Sequence, residues 1–142
     1  MSQEMLTAIT REVDNEPYAQ KLGIKVLKVA EGYALTEMKY TDEMTNLLGL
    51  MHGGAIFSLI DEAFELSANS HGTVAVALNM NITYMAAPQK GTTLRAEAKE
   101  VSRTSRTGTY QIRVMDEADN LIALCQALVY RKKDKLPFLE SS

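Results

Sequence analysis

The 142-residue sequence predicts a single α+β domain, residues 1–142, in which one curved antiparallel sheet wraps around a long central helix. Residues 54–68 are apolar around most of a helical circumference, which is typical of a helix that other structure encloses. Segments rich in strand-forming residues lie on both sides of this helix. The later segments follow one another through short connections, which favours antiparallel pairing.

One short helix and two strands are predicted before the central helix. Apolar residues at helical spacing predict an amphipathic helix near residues 3–14, within an N-terminal segment of residues 1–16. A first strand is expected over residues 21–29 and a second over residues 33–40. A loop then leads into the central helix.

The central helix is predicted to run from Gly54 to Ala68, with a stop at His71-Gly72 because glycine commonly follows a helix end. Alternating or continuous apolar residues predict four strands after it. They span residues 74–86, 94–99, 110–114 and 121–130. Residues 131–142 are expected to form a solvated C-terminal tail.

Composition argues against several classes of function. A net charge of −3 lacks the basic surface that general nucleic-acid binding requires. No apolar segment approaches the roughly 20 residues that span a bilayer, and the N-terminus lacks the features of a signal or transit peptide. The single cysteine, Cys125, fits a reducing compartment. We expect a cytoplasmic protein with neither nucleic acid nor membrane as partner.

A glycine pair at the predicted helix start, followed by one acid, indicates acyl chemistry. The N–H groups of Gly53 and Gly54 would be unpaired and partly positive there, and could hold a developing oxyanion. A glycine pair could also serve only a tight turn. Asp61 falls beside Phe57 and Phe64 in helical projection, so its carboxylate is expected to be partly desolvated. A boundary acid that aids solubility is the alternative.

The other polar residues near this segment have open roles. His52 could be a general base, a donor that orients a ligand, or a loop histidine bonded to backbone. Asn46 could orient a water molecule or the carboxylate, or could cap a turn. Glu62 and Glu65 fall on a narrow polar stripe and are expected to be solvated. Because the only other histidine is distant, no metal site and no cofactor are predicted.

The combined spacing N-x2-G-x2-H-G-G-x6-D resembles the signature of the hotdog-fold acyl-CoA thioesterases, most closely the PaaI-like (phenylacetic acid degradation) subgroup. Its members here are Asn46, Gly49, His52, Gly53, Gly54 and Asp61. The strand from Asn79 to Tyr84, with Pro88 and Gly91, also resembles that subgroup. The resemblance covers roughly residues 20–132. It implies a hotdog fold, homodimers joined edge to edge with sites at their interface, and dimers often paired into tetramers.

The resemblance also implies roles for individual residues. Asp61 would be nucleophile or general base, and the Gly53 amide would polarise the thioester carbonyl. Asn46 and His52, from the partner subunit's side of the site, would help to place water or the thiolate. Substrate contacts are expected at Gly54, Phe57, Phe64, Tyr84, Arg103 and Arg106, with the two arginines meeting coenzyme A phosphates.

The implied activity is hydrolysis of an aryl- or medium-chain acyl-CoA to a free acid and coenzyme A. A non-catalytic protein that binds or senses acyl-CoA on the same fold is the alternative. A hydratase would need a closer Asp/His pair than His52 and Asp61 offer. One departure is Ala77, where some relatives carry a serine or threonine facing the catalytic acid.

Overall fold

A computed structural model describes residues 3–139 and contains three α-helices and six strands. The helices are α1 (Gln3–Val13), α2 (Pro17–Leu22) and α3 (Gly53–Asn69). The strands are β1 (Lys25–Ala30), β2 (Tyr33–Lys39), β3 (Thr73–Tyr84), β4 (Thr93–Arg103), β5 (Thr107–Met115) and β6 (Leu121–Lys135). Two short 3-10 turns cover Asp42–Met44 and Pro137–Leu139.

All six strands form one antiparallel sheet in the order β1-β2-β4-β5-β6-β3. Helix α3 contacts every strand, so the sheet curves around it as the sequence predicts. The predicted α+β class and the central helix are therefore confirmed. The chain enters α3 from β2 and leaves it into β3, the edge strand on the far side of the sheet.

Alanines among the apolar residues on the concave face of the sheet let α3 approach closely. The fully buried positions of this face include Ala34, Leu94, Ala96, Ala98, Ile112, Val114 and Ala123. The helix packs Leu59, Ile60 and Ala63 against them, also without exposure. Burial of this apolar surface from both sides is the main force that holds the helix in the sheet.

Several strands differ from the sequence prediction by a few residues at their ends, as in β4, which continues to Arg103, and β5, which begins at Thr107. Two further differences lie near the ends of the described chain. Residues 21 and 22 end helix α2 rather than beginning a strand. Proline at position 17 suits the first turn of a helix, and Gly23 ends it in the left-handed conformation at φ 69°. At the other terminus β6 continues to Lys135, so residues 131–135 of the expected tail belong to this strand, with Arg131 opposite Ala75 and Lys135 opposite Thr73 of β3. Residues 140–142 of the expected tail lie outside the described residues.

A polar network closes the far end of α3. Tyr110 donates a 2.8 Å hydrogen bond to Oε1 of Glu100, and Nε2 of His71 lies 2.8 Å from the same oxygen. The Arg103 guanidinium donates to Nδ1 of His71, so Nε2 carries the proton that His71 shares with Glu100. Partial burial opposes ionisation of Glu100, but the bonds from His71 and Tyr110 and the nearby charges lower its pKa overall.

Glu100→Gln is expected to lower the free energy of unfolding by about 1–2 kcal/mol near neutral pH, because it replaces the charge that anchors Tyr110 and His71. Because the pKa of Glu100 is lowered in the folded state, its stabilisation is present above the ordinary glutamate pKa and is lost as the pH falls through the lowered value. Urea unfolding at about pH 7 and about pH 3 should show the difference from wild type shrinking at the lower pH. A constant difference, or one matched by the exposed control Glu43→Gln, would contradict this account.

Candidate active site

The start of α3 is capped by a histidine side chain. His52 has extended backbone angles, and its Nδ1 accepts a 2.8 Å hydrogen bond from the Gly54 N–H. Since Nδ1 is the acceptor, the proton of the neutral ring lies on Nε2. Of the three roles left open for His52, the structure shows a backbone-bonded histidine, and its Nε2–H remains a donor on an exposed residue.

An added side chain would have different effects at Gly53 and at Gly54. A Cβ on Gly54 would lie 2.9 Å from Nδ1 of His52, which is too close for the capping ring to stay in place. A Cβ on Gly53 would lie 3.4 Å from the Tyr84 ring, an ordinary contact. The cap therefore depends on glycine at position 54, whereas position 53 has space for a methyl group.

Only Gly53 offers a free amide at this helix start. The N–H groups of Ala55 and Ile56 both bond to the His52 carbonyl, and the His52 ring takes that of Gly54. Among residues 3–139 the Gly53 N–H has no hydrogen-bond acceptor. Gly54 was expected to contact substrate as well, but its amide is already engaged. One donor at the positive end of α3 is thus left for a ligand.

A cavity of about 360 Å³ opens beside Gly53. Its walls are mostly apolar and consist of Asn46, Leu50, Met51, Gly53, Ile56, Tyr84, Met85, Ala86, Ala87 and Pro88. The Tyr84 hydroxyl donates a 3.1 Å hydrogen bond to the Gly53 carbonyl, which ties the end of β3 to the helix start. Burial, followed by the nearby Cys125, raises the pKa of Tyr84, so this hydroxyl stays protonated.

Asn46 shapes the loop that forms one wall of the cavity. Its Oδ1 accepts hydrogen bonds from the backbone N–H groups of Leu48 and Leu50 at 2.8 and 3.0 Å. Gly49 provides the left-handed residue of this turn at φ 79°. Of the two roles left open for Asn46, turn capping is the one that the structure shows.

Asp61 lies on the same helix but away from Gly53. Eight residues of helix separate the two, which corresponds to about 12 Å along the axis. The Asp61 side chain is half-buried, and burial, with the negative charge of Glu16, raises its pKa. Within one chain the structure does not bring this carboxylate to the Gly53 amide.

The expectation that Glu62 is solvated is wrong. Glu62 is 5% exposed, and carboxylate oxygens of Glu16 and Glu65 lie close to its own. Burial raises its pKa to about 10, and hydrogen bonds with Glu65 and Glu16 add to that effect. The segment between α1 and α2 brings Glu16 onto this face of α3, a contact that the helical pattern alone does not reveal.

The remaining predicted site residues are dispersed. Phe57 is 37% exposed on α3, whereas Phe64 is buried in an edge contact with Tyr110 and offers no surface to a substrate. Arg103 lies beside His71, at the end of α3 opposite to Gly53, and α3 is about 25 Å long. Arg106 is exposed in the adjoining turn. Phe64 therefore has no exposed surface for the substrate contact expected of it, and the arginines do not reach the cavity of their own chain.

Comparison with known proteins identifies the family. The model of the thioesterase superfamily matches residues 48–123, which include the capped helix start and Asp61. The chain belongs to this superfamily. No helix among residues 3–139 of this thioesterase is long and apolar enough to cross a membrane.

Individual relatives support the assignment and the PaaI-like resemblance. A protein of Archaeoglobus fulgidus, provisionally named an esterase, is 44% identical over 87% of this chain and 80% of its own. The acyl-coenzyme A thioesterase PaaI of Escherichia coli is 34% identical over 83% of this chain and 84% of its own. A solved structure of E. coli PaaI, from the phenylacetic acid degradation operon, superposes with a TM-score of 0.89 at 30% identity and covers 94% of this chain and 97% of that one. The hotdog fold is thereby confirmed, and the chain is a thioester hydrolase.

His52→Ala should lower the free energy of unfolding by about 0.5–2 kcal/mol, because it removes the acceptor for the Gly54 N–H. His52→Asn should retain most of the stability, since asparagine is among the best N-cap residues. Thermal unfolding of the two variants beside wild type measures the effect. Equal losses in both would show that the capping bond does not stabilise the thioesterase.

Proposed function

We propose that this thioesterase hydrolyses aryl- or medium-chain acyl-CoA at sites shared by two subunits, in the cytoplasm. The observation that carries the proposal is the free Gly53 N–H, which lies at the start of α3 beside an apolar cavity. A thioester carbonyl placed there would accept a hydrogen bond from a donor that the helix dipole strengthens. Such a donor stabilises the transition state by about 3–4 kcal/mol in other acyl-transfer enzymes.

A second subunit is needed because Asp61 and Gly53 of one chain are about 12 Å apart. In a two-fold dimer, if residue i contacts residue j, then residue j contacts residue i. When Asp61 meets the Gly53 of the partner subunit, the residue midway between them, Phe57, lies near the axis. Phe57 is an exposed aromatic on α3, which is what a contact with its own copy requires.

Strand β3 supplies a surface along which this dimer could form. It is a 12-residue edge strand that has no neighbouring strand on its outer side among residues 3–139, and Val76 and Leu78 are exposed on it. Near its start the Asn69 side chain bonds to the N–H and the carbonyl of Ala75. Long, partly apolar edges invite pairing with another strand. Pairing of two β3 strands would join the sheets and lay the two α3 helices side by side, with one site at each end of the contact.

In this arrangement Asp61 has two open roles in the reaction. Its carboxylate either attacks the thioester carbon or takes a proton from the attacking water. In both cases the carbonyl oxygen becomes an oxyanion at the Gly53 amide, and the C–S bond breaks to release coenzyme A thiolate. The Nε2–H of His52 is the exposed donor on the Gly53 side of the site. Direct attack leaves the acyl group joined to Asp61 as an anhydride, which water then hydrolyses at the Asp61 carbon to release the free acid. In a single turnover in oxygen-18 water this route places the label in Asp61, whereas attack by an activated water molecule places it in the free acid.

A shared site would also allow Arg103 and Arg106 to contact coenzyme A. About 12 Å of helix axis separate Asp61 from Asn69, the end of α3 near which Arg103 lies, compared with about 24 Å from Gly53. A coenzyme A whose thioester lies at Asp61 would thus extend along the same subunit toward Arg103 and Arg106. The apolar cavity beside the partner's Gly53 would take the acyl group, and its wall of Met85, Ile56 and Tyr84 suits aryl or alkyl chains.

Gly53→Pro is expected to lower kcat about 10²–10³-fold, because it deletes the proposed oxyanion donor and little else. Position 53 is the first helical residue, where proline is favoured, and the extended His52 before it suits a following proline. Gly53→Ala keeps the N–H and is the matched control, since its Cβ makes only an ordinary contact. Thiol release from a panel of acyl-CoA esters, followed with a thiol-reporting dye, measures both. Equal activity of the two variants would remove Gly53 from the mechanism.

Asp61→Asn should reduce thiol release by about 10²–10⁴-fold while acyl-CoA binding persists. Glu43→Gln, an exposed acid-to-amide change, should leave the rate unchanged. If every acyl-CoA binds to the wild-type thioesterase and none is hydrolysed, a binding or sensing role replaces the proposed one.

A further inference from the structure

We propose that the carboxylates of Glu16, Glu62 and Glu65 bind a hard divalent cation of the Mg²⁺, Mn²⁺ or Ca²⁺ class. This site would adjoin the hydrolytic one without sharing a residue with it, since the charge of Glu16 acts on Asp61. Glu62 is adjacent to Asp61 in sequence, but successive residues of a helix point about 100° apart. The proposal concerns stability and does not depend on the proposed function.

The three side chains already have the spacing of one coordination sphere. One carboxylate oxygen from each lies within 4.8 Å of those of the other two. Magnesium and calcium bind oxygen at about 2.0–2.6 Å, so ligands on opposite sides of one ion are about 4–5 Å apart. Carboxylate oxygens are also the ligands that these hard cations prefer, whereas softer metals prefer sulfur or imidazole ligands.

Glu62 provides a second observation that points to a ligand at the cluster. It is 5% exposed, and within residues 3–139 its Oε2 has no hydrogen-bond partner. A buried polar atom without a partner is costly, and its neighbours here are two further acids. The ion pairs found within those residues all involve other carboxylates, namely those of Glu31, Glu37, Asp42, Glu97 and Glu100. No arginine or lysine of the described part of the chain therefore neutralises Glu62.

A cation could reach the cluster from solvent. Glu65 is exposed, Glu16 is half-buried, and both line a cavity of about 820 Å³ between the N-terminal helices, α3 and the C-terminal turn. Water in this cavity could supply the remaining ligands, as it usually does for Mg²⁺.

The bound ion would fasten two distant parts of the chain. Glu16 immediately precedes α2 and is its N-cap residue, whereas Glu62 and Glu65 belong to α3. The N-cap makes no side-chain capping bond, so its carboxylate is available. Coordination would hold the junction of α1 and α2 against the central helix.

Thermal unfolding of chelator-treated protein with added Mn²⁺, Mg²⁺ or Ca²⁺ tests the site, and Mn²⁺ electron paramagnetic resonance counts the bound ions. We expect one Mn²⁺ per chain and a rise in Tm of about 5–10 °C for at least one of the three ions at a hundredfold excess over Kd. In Glu62→Gln the rise should vanish, whereas the metal-free Tm should stay close to that of metal-free wild type, because the raised pKa of Glu62 keeps its carboxyl group protonated near neutral pH when no ion is bound, and glutamine is a neutral group of similar size.

Glu65→Gln, a change at an exposed position, provides a second variant and should weaken Mn²⁺ binding at least tenfold. Glu43→Gln should bind as wild type does. The proposal fails if wild type binds no Mn²⁺ below millimolar concentrations, or if Glu62→Gln and Glu65→Gln bind it as tightly as wild type. None of these measurements uses a thioester, so they stand or fall apart from the hydrolytic assays.

Discussion

A single helix carries both groups of the proposed chemistry, and the rise of the helix keeps them apart. Gly53 and Asp61 are eight residues and about 12 Å distant on α3, so one chain cannot bring both to the same carbonyl. The proposed pairing of two helices, with Phe57 near the axis and β3 at the joined edge, follows from this separation. An enzyme with a complete site in each chain would need neither the exposed Phe57 nor the open edge strand.

The capping of α3 determines which amide at the helix start is left without a hydrogen-bond partner among the described residues. Two donors at the helix start could in principle hold an oxyanion, but the His52 ring takes the Gly54 N–H and leaves that of Gly53. The absence of a side chain at position 54 gives the ring its space. The adjacent glycines thus have separate tasks, one in the cap and one proposed for catalysis.

The sequence predicts α3 and its surrounding sheet well because both depend on local periodicity. Helix α2 was missed because six residues are too few to show a helical period, although Pro17 and Gly23 mark its ends. The burial of Glu62 was missed for another reason: it depends on Glu16, which a distant segment places against α3. The substrate contact expected at Phe64 follows from the family resemblance, which does not reveal that this side chain faces the core and packs against Tyr110.

Mixing inactive subunits tests the shared site most directly. Asp61→Asn and Gly53→Pro chains would be unfolded and refolded together in equal amounts, and thiol release from an acyl-CoA would be measured. If each site takes Asp61 from one chain and Gly53 from the other, half of the dimers are hybrids with one intact site, and about a quarter of the wild-type activity returns. Activity that stays at the level of the separate variants, although hybrids form, would show that each site lies within one chain.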